Sequence, residues 1–98
     1  VTPESEAASQ RCDIWLFRAR LFKSRALAAE AISAGRVRIE RFGQVQRLTR
    51  AAALVRAGDR LVFTRGGDVV RIAVLALAER RGPPAEARGL YEAESGAG

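Results

Sequence analysis

Ten basic side chains crowd the stretch from Arg11 to Arg50: Arg11, Arg18, Arg20, Lys23, Arg25, Arg36, Arg38, Arg41, Arg47 and Arg50. Only Asp13, Glu30 and Glu40 oppose them, so this segment alone carries +7 in a chain whose total is +6. The chemistry open to such a cluster is recognition of a polyanion. Lys23 is the single lysine among the 17 basic residues; the others offer planar guanidinium forks, which match phosphate oxygens and stack on bases better than an ammonium does. A genome rich in arginine codons would raise the count without gathering the charges.

The sharpest point is the Lys23-Ser24-Arg25 corner. Ser24 is a good helix N-cap, and free amides at the start of the following helix make a seat for an anion, reinforced by the helix dipole. Arg25 can close on the same phosphate with a forked contact. An isolated Ser cap with solvated neighbours would read the same way; its place inside the basic segment tips the reading toward contact. Arg36 and Arg38 alternate with Val37 and Ile39, which puts both guanidinium groups on the outer face of a strand.

Catalysis finds few of its usual groups. There is no histidine and one cysteine in the sequence, so neither acid–base chemistry at neutral pH nor a Cys/His metal site is indicated. Cys12 has no base nearby in sequence and reads as a buried structural thiol. Asp59 and Asp68 fall at turns. Neither an enzyme activity nor a cofactor or metal is expected.

The elements that must hold these groups follow from spacing. The 98 residues, 48% of them hydrophobic, suffice for one small domain. Val1–Gln10 reads as a mobile leader, 11–82 as the domain and 83–98 as a C-terminal segment. Asp13 is expected to cap a first helix running through Leu21, with Trp15 and Phe17 in the core; Phe22 stands open at the corner. Ser24 starts a second helix with Leu27, Ala28, Ala31 and Ile32 on one face, and Gly35 stops it. A strand follows at Val37 and Ile39, then a turn at Glu40–Gly43 and a polar stretch. Arg60–Thr64 and Val69–Leu77 flank Gly66-Gly67 as a hairpin. Pro84 can open a short helix through Tyr91, and Glu92–Gly98 reads as frayed. The fold class is therefore α+β: two short N-terminal helices packed on a small, mainly antiparallel sheet, with a short C-terminal helix.

The pattern formed by Arg11, Asp13, Leu16, the Lys23–Arg25 corner, Ala28, Ile32, Gly35 and Val37 resembles the RNA-binding domain named after ribosomal small-subunit protein S-four, with its alpha-L motif. The match narrows with Trp15-Leu16, Arg20, Phe22–Ala28, the Ala57-Gly58-Asp59 turn, Glu79–Pro83 and Leu90–Glu92. Together these are similar to the bacterial ribosome-associated heat-shock proteins of that superfamily. The resemblance implies a non-catalytic protein that binds structured ribosomal RNA, on large ribosomal subunits stalled with a nascent chain and transfer RNA. By position it implies RNA contacts at Arg11, Arg18, Arg20, Lys23, Ser24, Arg25, Arg36 and Arg38. Cys12, Ile14 and the longer Glu40–Gly43 turn depart from the family pattern, as does the missing basic C-terminal extension.

Val1 is not methionine and none occurs, which reads as a piece of a longer product. The alternative function is an RNA-delivery domain cut from an RNA-modifying enzyme such as a pseudouridine synthase or rRNA methyltransferase. A protein-docking module using Phe42 and Leu90-Tyr91 is a further reading. DNA binding by a helix-turn-helix ranks lower, since Leu27–Ile32 offers few side chains that reach base edges. The apolar runs are too short to span a membrane. A cytoplasmic monomer is expected.

Overall fold

Trp15, Leu16 and Ala19 give the segment after Arg11 a face to bury, and helix α1 (Cys12–Arg18) forms on it. The molecule is a computed structural model describing residues 9–94; the expected leader up to residue 8 lies outside the described residues. Asp13 is not the cap but sits inside the first turn, where its Oδ1 accepts the Ile14 amide at 2.8 Å and its charge suits the dipole. The helix also ends earlier than Leu21. Leu21 N–H bonds the Leu16 carbonyl and Arg20 N–H the Phe17 carbonyl, both at 3.0 Å, with Arg20 left-handed at φ +61°. This is the pairing that usually closes on glycine, so no sequence signal marked the stop.

Helix α2 (Arg25–Ser33) has the expected ends. Ser24 Oγ accepts the Leu27 amide at 3.1 Å. At the other end Gly35 takes φ +76°, with its own amide and that of Arg36 returning to Ile32 and Ala31. Its missing Cβ matters twice, because one there would lie 2.9 Å from Arg47 Cδ.

Alternation then builds the sheet. Strands β2 (Val37–Arg41), β3 (Gln44–Leu48), β5 (Arg60–Arg65), β6 (Asp68–Val74) and β7 (Tyr91–Ala93) lie in the order β3-β2-β5-β6-β7, each pair antiparallel. The short strands β1 (Gln10–Arg11) and β4 (Leu54–Val55) form a separate ladder. Val37, Ile39, Leu61, Phe63, Ile72 and Val74 point inward against Trp15, Leu16, Ala28 and Ile32. Each fully buried aliphatic chain here contributes roughly 1.5–3 kcal/mol before entropy is charged against it. The class is α+β, as the residue pattern implied.

Four further elements differ from the sequence expectation. Strand β3 occupies the polar stretch; it is an edge strand whose first four residues are exposed, so it lacks the apolar alternation that reveals a strand. Strand β6 ends at Val74 rather than Leu77, because the carbonyl of Leu90 takes the amides of Leu75 and Ala76. Tyr91 is not helical and Glu92 and Ala93 are not frayed: Tyr91–Ala93 pairs with Val74, Ala73 and Ile72. The C-terminal helix is correspondingly short, α3 (Pro84–Ala87) followed by one 3-10 turn (Arg88–Leu90).

Side chains strap the segment from Leu75 to Gly82 onto α1. Trp15 Nε1 donates to the Ala76 carbonyl at 2.9 Å, and Gln10 exchanges two bonds with the backbone of Ala78. Trp15 is fully buried and meets Tyr91 edge-on at 6.5 Å. Phe17, expected in the core, is only half-buried, with the Arg81 guanidinium 4.6 Å above its ring. Among the described residues no helix is long and apolar enough to cross a membrane.

Candidate nucleic-acid interface

Helix α2 starts at a bare corner. Its cap engages the Leu27 amide, and Ala28 N–H reaches the Ser24 carbonyl, which leaves the Arg25 and Ala26 amides as the unused first-turn donors among the described residues. Lys23 and Arg25 are exposed on either side of half-buried Ser24. The arrangement combines amide donors, a hydroxyl and two cations within three consecutive residues.

Asp13 organises the neighbouring cations. Its side chain is 4% exposed and receives Arg11 in a fork, Nε at 3.2 Å and Nη2 at 3.0 Å. Arg25 Nη2 lies 3.8 Å from the same carboxylate. Two guanidinium groups therefore converge on one buried acid while half of each remains in solvent, so the cluster keeps a net positive charge and a fixed orientation.

Arg18 and Arg20 sit elsewhere. Arg18 Nη1 donates to the Ala78 carbonyl at 2.8 Å, and Arg20 Nε donates to the Gly82 carbonyl at 2.6 Å. Both are half-buried struts that hold the C-terminal segment, with their other donors unassigned. Arg36 and Arg38 belong to a third location, the outer face of the sheet.

That face holds what the sequence reading missed. The register places Arg47, Arg38, Val62 and Arg71 side by side across β3, β2, β5 and β6. A shallow groove of about 400 Å³ runs along Arg38, Val62 and Arg71, lined also by Arg36, Thr64 and Val69 and by no carboxylate; Arg47 stands beyond its lining. None of Arg36, Arg38, Arg47 and Arg71 forms an ion pair among the described residues. Like charges facing one another across a ladder destabilise a sheet, so folding gives no reason for the row. Arg47 and Arg71 lie in separate stretches of sequence, and only strand register brings Arg47 beside Arg38 and Arg71 into the same row across Val62.

The remaining charged sites are structural. Asp59 is buried and takes Arg41 Nε at 2.8 Å and Nη2 at 2.6 Å together with the Arg56 amide at 2.8 Å; the carboxylate raises the pKa of Arg41 above its ordinary value. The Cys12 thiol is pushed up to about 12, first by burial and then by the charges of Asp13 and Asp59, so it offers no thiolate at neutral pH. A recess under α3, about 250 Å³, carries Glu79 and Glu86 and suits no polyanion.

Residues 10–41 match the S4 domain family. The chain carries an S4 domain. It spans β1, α1, α2 and β2, and so includes every contact residue expected from sequence, whereas Arg47 and Arg71 lie beyond the matched residues. Heat shock protein 15 of Escherichia coli K12 is 37% identical over 89 residues, covering 91% of this chain and 63% of the relative. A heat shock protein 15 homolog of Haemophilus influenzae is 32% identical over 82 residues, covering 84% and 59%. The chain thus spans about three fifths of the length of these curated relatives. The solved structure of Vibrio cholerae heat shock protein 15 is similar at a TM-score of 0.79 and 29% identity, covering 89% of this chain and 83% of that one. That protein is described as trimeric, which stands in tension with the monomer expected here.

Proposed function

We propose that the chain is a non-catalytic RNA-binding protein that grips structured ribosomal RNA of the large subunit, in the cytoplasm, within the heat-shock response or translation quality control. The observation that carries the reading is the groove of arginines without a counter-ion, on the same S4-bearing molecule as the bare start of α2. A phosphate seats on the Arg25 and Ala26 amides with Lys23, Ser24 and Arg25 around it, Arg11 held alongside by Asp13. Successive phosphates ride Arg36 and Arg38, and Arg18 and Arg20 contact the RNA through the donors their struts leave over. Contacts of this kind fix register and shape rather than sequence, as A-form RNA with its inaccessible major groove requires.

Similarity to heat shock protein 15 over 91% of the chain favours this reading over an RNA-delivery domain of a modifying enzyme. The test is ribosome co-sedimentation and binding of a ribosomal RNA fragment by Lys23→Glu with Arg25→Glu. Both residues are exposed, so the fold persists, as circular dichroism will register, and most binding is lost. Undiminished binding by the folded double variant rejects the proposal.

A further inference from the structure

A second recess opens where α2 meets the β5–β6 hairpin. Phe22, Leu27 and Ala31 supply its apolar wall, Arg36 and Arg65 its charges, and its volume is about 230 Å³. Arg36 and Thr64 line both this recess and the arginine groove, so the two are adjacent. Phe22 packs on Phe63 at 5.3 Å and 41°, which anchors the ring from the core side while it also lines the recess. Leu27 is 47% exposed on an otherwise inward apolar face of α2. Singly exposed leucines are ordinary; one that lines a recess together with an aromatic ring and two arginines is not explained by folding.

We propose that this recess receives an unpaired nucleobase of the RNA whose backbone occupies the groove. The inference rests on the RNA reading above and adds to it a subsite for a base. The hollow suits an occupant with a flat apolar face joined to negative charge, because Phe22, Leu27 and Ala31 line it together with two cations, Arg36 and Arg65. A nucleotide turned out of a helix has that form, and bases stack on aromatic and guanidinium faces regardless of identity. Glu30, the one carboxylate lining the recess, can accept from an exocyclic amino group such as that of cytosine but has nothing to offer the O4 of uracil.

The experiment compares two RNA hairpins that differ only by one bulged cytosine, titrated with the full chain by fluorescence anisotropy. The bulged hairpin binds about tenfold more tightly, in keeping with the usual worth of one stacked base. A bulged uracil gives a smaller gain, and Glu30→Gln makes cytosine and uracil equal. Leu27→Gln, at an exposed helix position that lines the recess and not the groove, removes the preference for the bulge while leaving affinity for the paired hairpin and its salt dependence unchanged. Phe22→Leu, which takes away the ring and keeps an apolar side chain against Phe63, gives the same loss and serves if Leu27→Gln fails to fold. Equal binding of both hairpins by the unaltered chain overturns the subsite alone, as does a preference that survives in the folded variants. Failure to bind either hairpin overturns the RNA reading itself.

Discussion

Replacing Arg38, Arg47 and Arg71 together by alanine separates binding from folding. The three stand in one row across the outer sheet face and form no ion pair among the described residues. Arg38 and Arg47 are directly opposed, and a like-charged pair in that position costs about 0.2–1 kcal/mol. Its removal offsets the packing lost with the aliphatic stems, so unfolding stability should change by less than ~0.5 kcal/mol. Binding behaves differently. If the corner and Arg36 together supply about two phosphate contacts and the row about three, the log–log salt slope is about −3.5 to −4.5 for the parent and −1.4 to −1.8 for the variant. Over a roughly fourfold rise in salt, parent affinity falls about 130- to 500-fold and that of the variant about 7- to 12-fold. Anisotropy titrations of a labelled ribosomal RNA hairpin across that range give both slopes. A triple variant that keeps the parent slope refutes the assignment of phosphates to the groove, whatever its absolute affinity.

Three further outcomes are expected. Phe42 is 94% exposed with φ +55° ahead of Gly43 at φ +77°, a tight two-residue turn between paired Arg41 and Gln44 in place of the longer Glu40–Gly43 turn expected, and one that asparagine enters more easily; Phe42→Asn should raise stability by about 1 kcal/mol in urea unfolding, and a lower midpoint contradicts the strain. Asp59→Ala strips Arg41 of its forked partner and the Arg56 amide of its acceptor, which should cost about 2–4 kcal/mol; a loss under about 1 kcal/mol shows that solvent replaces the carboxylate. The folded Cys12 thiol is raised to about 12 from an ordinary 9.0. Its contribution is therefore complete below about pH 9 and is lost as pH climbs toward 12. Cys12→Ala should lose stability less steeply across that window, and an identical slope argues that the thiol ionises freely in the folded chain.

The two helices were legible because local chemistry marks them. Ser24 and Gly35 cap α2 with side chain and backbone in the expected roles, and the alternation at Val37 and Ile39 announced β2. The end of α1 was not legible, since Arg20 occupies a left-handed position with no glycine to signal it. Strands β3 and β7 were hidden for a shared reason: both lie at the two margins of the sheet, with largely exposed residues whose pairing comes from a neighbouring strand. The geometry of the candidate site was legible where it is local, at the Ser24 cap, and illegible where it depends on register. Arg18 and Arg20 read as surface cations, yet their guanidinium groups reach carbonyls some sixty residues away in sequence. No pattern within one segment reports such a contact.

RNA is expected to contact both the start of α2 and the outer face of the sheet, with the recess lined by Leu27, Arg36 and Thr64 between them. Amide chemical-shift perturbation on adding a ribosomal RNA hairpin to the isotope-labelled chain tests it most directly. Shifts are expected at Lys23, Arg25, Ala26, Arg36, Arg38, Arg47 and Arg71, with little change at Arg80 and Arg88. Perturbations centred on Arg80–Leu90, or spread evenly over every exposed arginine, contradict it.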